Sequence, residues 1–101
     1  MAQKTFSTHH GMVDILPEDA AKWQFLEQLI RDVARTFHFE EIRTPIMEQT
    51  ELIARGIGAL TDIVSKEMFA FSRGDDNYVL RPEGTAPVSR AYIEHSLQQR
   101  G

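Results

Sequence analysis

Trp23, Leu26, Ile30, Val33 and Phe37 recur at spacings of three and four residues, and Phe25 and Leu29 widen the stripe into one helix face. Pro17 suits a first helical turn, and Glu18 and Asp19 beside it put negative charge at the positive end of the helix dipole. Together they predict a helix over about residues 17–37, its stripe lying in a core, on a sheet or against a partner helix. The period then changes. Ile42, Thr44 and Ile46 alternate as in a short strand, and Pro45, which has no N–H for a ladder, sends that strand to a sheet edge or a chain exit. Such an edge is a place for a partner subunit.

Residues 50–55 read as a short helix closed by Gly56, with Gly58 loosening the next stretch of chain, and Thr61 and Asp62 cap a turn that runs through Lys66. Residues 68–71 and 78–81 form a hairpin across Ser72-Arg73-Gly74-Asp75-Asp76-Asn77, the clearest break in the chain. A last helix over about residues 86–98 puts Val88, Tyr92 and His95 on one side, with Ile93 and Leu97 beside them. There is no repeat, linker or low-complexity segment.

Composition narrows the classes. At 101 residues, 42% hydrophobic and 26% charged, with six glycines and four prolines, the chain has the length of one ordinary domain and the make-up of a folded one. A net charge of −4 and a pI near 5.5 do not draw a polyphosphate from a distance, and Arg31, Arg35, Arg43 and Arg55 are scattered among acids as solvated faces. Nucleic-acid binding is therefore expected from elsewhere. The absence of cysteine excludes disulfides and thiolate zinc sites and suits a reducing cytosol, so a cytoplasmic location is expected. The first eight residues carry no apolar leader, and no run approaches the ~20 apolar residues of a membrane span. The histidines suggest no metal pair: His9 and His10 are adjacent rather than four apart, His38 sits at a helix end where imidazolium complements the dipole, and His95 is late in an amphipathic helix. No glycine-rich phosphate loop and no nucleophile with a matched base is present, so no residue is assigned a catalytic role.

The run Leu80-Arg81-Pro82-Glu83-Gly84-Thr85 carries the most chemistry. Tyr78, Val79 and Leu80 are β-formers, Gly84 can take the positive φ of a sharp turn, Thr85 stands where an N-cap belongs, and Pro87 falls in the first helical turn. A carboxylate at such a turn, beside the free N–H groups of a helix start, can hold the ammonium of a small zwitterion while the helix end faces its anionic part. On local chemistry alone a second reading stands beside it: a capped helix in which Glu83 pairs with Arg81 or Arg90.

From about Gly11 onward the chain resembles the N-terminal part of a histidyl-tRNA synthetase. Gly11-Met12-Val13-Asp14-Ile15-Leu16-Pro17 resembles that family's opening segment, and Phe39-Glu40-Glu41-Ile42-Arg43-Thr44-Pro45 its first class II motif. Ile63-Val64-Ser65-Lys66-Glu67-Met68-Phe69 and Leu80-Arg81-Pro82-Glu83-Gly84-Thr85-Ala86 come next, in family order. Arg-Pro-Glu also occurs in related class II enzymes, and it is the four segments in sequence, the last completed by Gly-Thr-Ala, that favour the histidine enzyme. A regulatory subunit of ATP phosphoribosyltransferase, built on the same frame, is expected to read Asp in place of Glu83.

The resemblance implies an α+β fold: part of a class II synthetase-like, mainly antiparallel sheet with flanking helices, residues 1–101 forming a single partial domain. The second and third motifs and the anticodon-binding domain are expected beyond Gly101. It further implies ATP-dependent ligation of L-histidine to tRNA through a histidyl-adenylate, with ATP and Mg2+ held mostly outside this chain and tRNA reached through the missing regions. Glu83 would accept the α-ammonium of histidine, Gly84 would let the backbone approach it, and Thr85 would add a hydroxyl contact. Arg81 would act as a strut for Glu83, and the segment with Pro45 would form part of a homodimer interface. A stand-alone dimerisation module is the remaining alternative.

Overall fold

Twenty residues, Pro17–Thr36, form helix α1 in the computed structural model, which describes residues 5–56 and 67–100. The expected start is observed, with proline in the first turn, Glu18 and Asp19 beside it, and Leu16 at the cap position without a side-chain bond. At the other end the Phe39 N–H donates to the Ala34 carbonyl (2.9 Å) and the His38 N–H to that of Arg35 (3.0 Å). This paired closure needs a left-handed residue, which is most often glycine. His38 fills it at φ 61°.

The chain divides into two units, Met1–Glu41 and Ile42–Gly101. In the first, the expectation that the α1 stripe is core is not met: no α1 residue is buried, and Trp23 and Phe37 are 51% and 70% exposed. An apolar stripe becomes core only where another element covers it. Within this unit α1 is the only helix or strand among the described residues.

The second unit runs β1 (Met47–Gln49), α2 (Thr50–Gly56), β2 (Ala70–Arg73), β3 (Asp76–Leu80), α3 (Thr85–Glu94) and a 3-10 turn, Leu97–Gln99. The strands form an antiparallel sheet in the order β1-β3-β2, with Glu48 opposite Val79 and Phe71 opposite Tyr78. The expected hairpin is present with a tighter turn. Arg73 pairs with Asp76, so only Gly74 and Asp75 form the loop, and Gly74 at φ 63° supplies the positive angle that a two-residue type II′ turn needs at its first position. The Ser72 hydroxyl donates to Asn77 Oδ1 (2.6 Å) across the same end.

The strand expected over residues 42–46 begins instead at Met47. Arg81 N–H still donates to the Ile46 carbonyl (2.9 Å), but Pro45 has no N–H with which to extend the ladder. β1 is an outer strand, as Pro45 implies. The final helix is shorter than the expected 86–98, because Ser96 adopts a left-handed φ of 50° and ends it. Its buried residues are Pro87 and Ala91, one turn apart, while Val88 and Tyr92 remain 43% and 48% exposed. With fully buried Val79 on the central strand and Ile53 on α2, which packs on β1, β3 and α3, Pro87 and Ala91 make the core. The turn expected from Thr61 and Asp62 through Lys66 lies outside the described residues.

Candidate amino-acid site at the start of α3

β3 delivers the chain to the site. The Leu80 N–H bonds the Phe69 carbonyl (3.0 Å) and the Arg81 N–H that of Ile46, so the strand end is pinned from both neighbours before the chain turns at Pro82. Glu83 Oε2 then accepts the Thr85 N–H at 2.6 Å and Oε1 the Ala86 N–H at 3.1 Å. A helix start leaves such N–H groups without intrahelical partners, and the carboxylate satisfies two of them. Glu83 is thus the capping side chain and Gly84 occupies the cap position, so Thr85, expected there, is the first helical residue. Gly84 has φ −104° rather than the positive angle expected of it, and a Cβ added there would meet nothing within 4 Å. Neither backbone conformation nor crowding by the described residues requires glycine at this point.

The Ala86 N–H, together with the Thr85 backbone and side chain, holds the Glu83 carboxyl below the ordinary glutamate range against an opposing effect of desolvation. A depressed folded-state value adds stability above the unfolded glutamate pKa, and that stability is lost as pH falls through the folded value. At neutral pH Glu83 is a fixed, exposed anion.

Neither arginine offered as its partner reaches it. Arg81 Nη1 donates to the Thr44 carbonyl (2.8 Å) and to the Thr44 hydroxyl (2.7 Å). Arg90 Nε and Nη2 both donate to Glu48 Oε1 (3.3 and 2.9 Å), and its Nη1 faces Glu94 (3.3 Å). The pairing of Glu83 with Arg81 or Arg90 is therefore corrected, the Arg81 guanidinium meeting Thr44 instead. Among the described residues Glu83 has no cationic partner. Pro45 lies exposed between Thr44 and β1.

Two residues of this frame, Thr44 and Glu48, carry no site role in the sequence reading. Glu48 is 7% exposed, buried on β1 beneath Arg90. The alternation Ile42, Thr44, Ile46 reaches Glu48 in one further step, which is the signal the sequence offers; its partner 42 positions later is not legible there. Elsewhere, a hollow of about 610 Å³ beside the hairpin is lined by Gln49, Thr50, Phe71, Asp76 and Tyr78, and does not include Glu83. Among the described residues no three His, Asp or Glu side chains group as a metal site, and no helix is long and apolar enough to cross a membrane.

No family model matches the chain. A histidine–tRNA ligase of Moorella thermoacetica is 55% identical to it over 96 residues, 94% of this chain and 23% of that protein. The chain is a relative of the histidine–tRNA ligases. The apo histidyl-tRNA synthetase structure of S. aureus matches 95% of the chain at 41% identity and a TM-score of 0.79, over 22% of its own length. An ATP phosphoribosyltransferase regulatory subunit/histidyl-tRNA synthetase structure from Bacillus halodurans C matches 99% of the chain at 26% identity and a TM-score of 0.74, over 25% of its length. The α+β arrangement of helices on an antiparallel sheet is thus that of histidyl-tRNA synthetases. The chain spans about a quarter of the length of these relatives.

Proposed function

We propose that the complete protein to which this chain belongs joins L-histidine to its cognate tRNA through a histidyl-adenylate, and that this chain holds the histidine by its α-ammonium. The names of its relatives support the reaction. The observation that carries the site is the Glu83 carboxylate: two backbone N–H groups fix it, and its charge lacks a counter-ion among the described residues. An ammonium supplies the missing charge. Thr85 offers a hydroxyl beside it, and the open space at Gly84 admits a ligand close to the backbone.

In this reading a histidine carboxylate oxygen attacks the α-phosphorus of ATP and pyrophosphate leaves; a ribose hydroxyl at the tRNA 3′ end then attacks the acyl carbon, losing its proton as AMP departs. In this reading the residues that hold Mg2+ and the ATP phosphates lie mostly outside this chain, and tRNA is reached through the missing regions. Glu83, Gly84 and Thr85 bind and orient; none is a catalytic residue. The protein is placed in the cytoplasm as a homodimer whose interface includes the Pro45 segment beside the outer strand β1. Sedimentation of the complete protein as a monomer at tens of micromolar would remove that part of the proposal. The Bacillus halodurans neighbour supports a second reading, a regulatory subunit of ATP phosphoribosyltransferase, a binding protein rather than an enzyme; histidine-dependent aminoacylation by the complete protein separates the two.

The site is tested by calorimetry of histidine on the complete protein. Glu83→Ala should raise the dissociation constant roughly tenfold or more, since the ammonium loses the carboxylate that faces it in this reading. Gly84→Ala should fold normally at φ −104° and still weaken histidine binding by filling the space beside it. Unchanged affinity in both variants would leave Glu83 as a helix cap.

A further inference from the structure

We infer that Arg81 is a positioning residue for Glu83, acting through Thr44 and thereby tying the amino-acid site to the segment that enters β1. The inference rests on the histidine reading above. One residue makes three bonds to a stretch 35 to 37 positions earlier: its N–H to the Ile46 carbonyl at 2.9 Å, and its guanidinium to both the carbonyl and the hydroxyl of Thr44 at 2.8 and 2.7 Å. A charged donor makes stronger bonds to a carbonyl than a neutral one, and the two oxygens of Thr44 fix the guanidinium's direction as well as its place.

The link from Arg81 to Glu83 is short and stiff. Pro82 has a locked φ and restricts the residue before it to extended backbone, so the anchored Arg81 dictates the direction in which the chain reaches Glu83. Beyond Glu83, the carboxylate is held by the start of α3, through the Thr85 and Ala86 N–H groups. The carboxylate is thus located relative to the sheet from one side by Arg81 and oriented from the other by the helix. Releasing the guanidinium leaves the helix cap intact but lets the turn shift on the strand end. Movement of residues 44–46, which include Pro45, would reach the ammonium site by the same route.

The experiment is a double-mutant cycle in the complete protein, read by histidine calorimetry and by steady-state KM values for histidine and ATP. Arg81→Gln should weaken histidine about tenfold, and Thr44→Val, which removes only the hydroxyl acceptor, about threefold, with the ATP KM within about twofold of the parent. Arg81→Lys, a single-point donor, should fall between. In a Glu83→Ala background, adding Arg81→Gln should cost no further histidine affinity. Equal losses in both backgrounds, or no loss from Arg81→Gln where Glu83→Ala is severe, would overturn the inference alone. An innocuous Glu83→Ala would overturn it together with the histidine reading. Thr44→Val guards against misfolding of the arginine variants.

Discussion

The 101-residue chain by itself should show no histidine-dependent exchange of labelled pyrophosphate into ATP. Adenylate formation requires the α-phosphate in line with the attacking carboxylate and its developing charge met by preorganised donors, each of which is worth about 10² to 10³ in rate. Four arginines of residues 42–101 meet other groups or stand on other elements. Arg81 holds Thr44, Arg90 holds Glu48 and Glu94, Arg55 pairs with Glu51 along α2, and Arg73 ends β2 at the hairpin. None of these four is directed at Glu83. With several donors missing together, the expected rate falls below detection even if histidine still binds weakly. Saturable, histidine-dependent exchange by the purified chain that disappears in Glu83→Ala would defeat this expectation.

Replacing Glu48 with alanine should destabilise the fold of Ile42–Gly101 measurably. Glu48 is 7% exposed at the centre of β1, and both Nε and Nη2 of Arg90 converge on its Oε1. Arg90, 26% exposed, would lose its buried partner and keep only Glu94. Removing one member of a fully buried pair costs about 3–5 kcal/mol, and the remaining exposure and the second carboxylate reduce that here to about 2 kcal/mol. For a chain of this size the melting temperature should drop by roughly 10 °C. Glu94→Ala, which breaks an exposed pair one helical turn apart, should cost less than about 0.5 kcal/mol. Similar melting temperatures for the two variants would show that the Glu48–Arg90 pair does not anchor α3 to β1.

The His38 backbone shows where local and global demands part. The helix-end position of His38 is legible in the sequence, whereas its left-handed φ of 61° goes with the two bonds by which the chain closes α1.

The determinations made by the sequence itself are local. Pro17 with the acids after it set the start of α1, Gly74 made the hairpin turn, Pro45 stood outside the ladder that begins at β1, and the passage from β-formers to Pro82, Glu83 and Gly84 marked a strand-to-helix turn with an exposed carboxylate. These depend on φ preferences, missing donors and side-chain reach over a few residues, all of which are carried by neighbours in the chain. The tertiary structure decided the partners. It gave Glu83 to the helix N–H groups instead of to an arginine, gave Arg81 to Thr44 and Arg90 to the buried Glu48, and left the α1 stripe exposed while small Pro87 and Ala91 entered the core. Which of several nearby acids a flexible guanidinium meets, and which apolar face is covered, depends on elements 37 or 42 residues away being brought together. Periodicity along one element holds no record of that, because it gives the face an element offers and not the surface it meets.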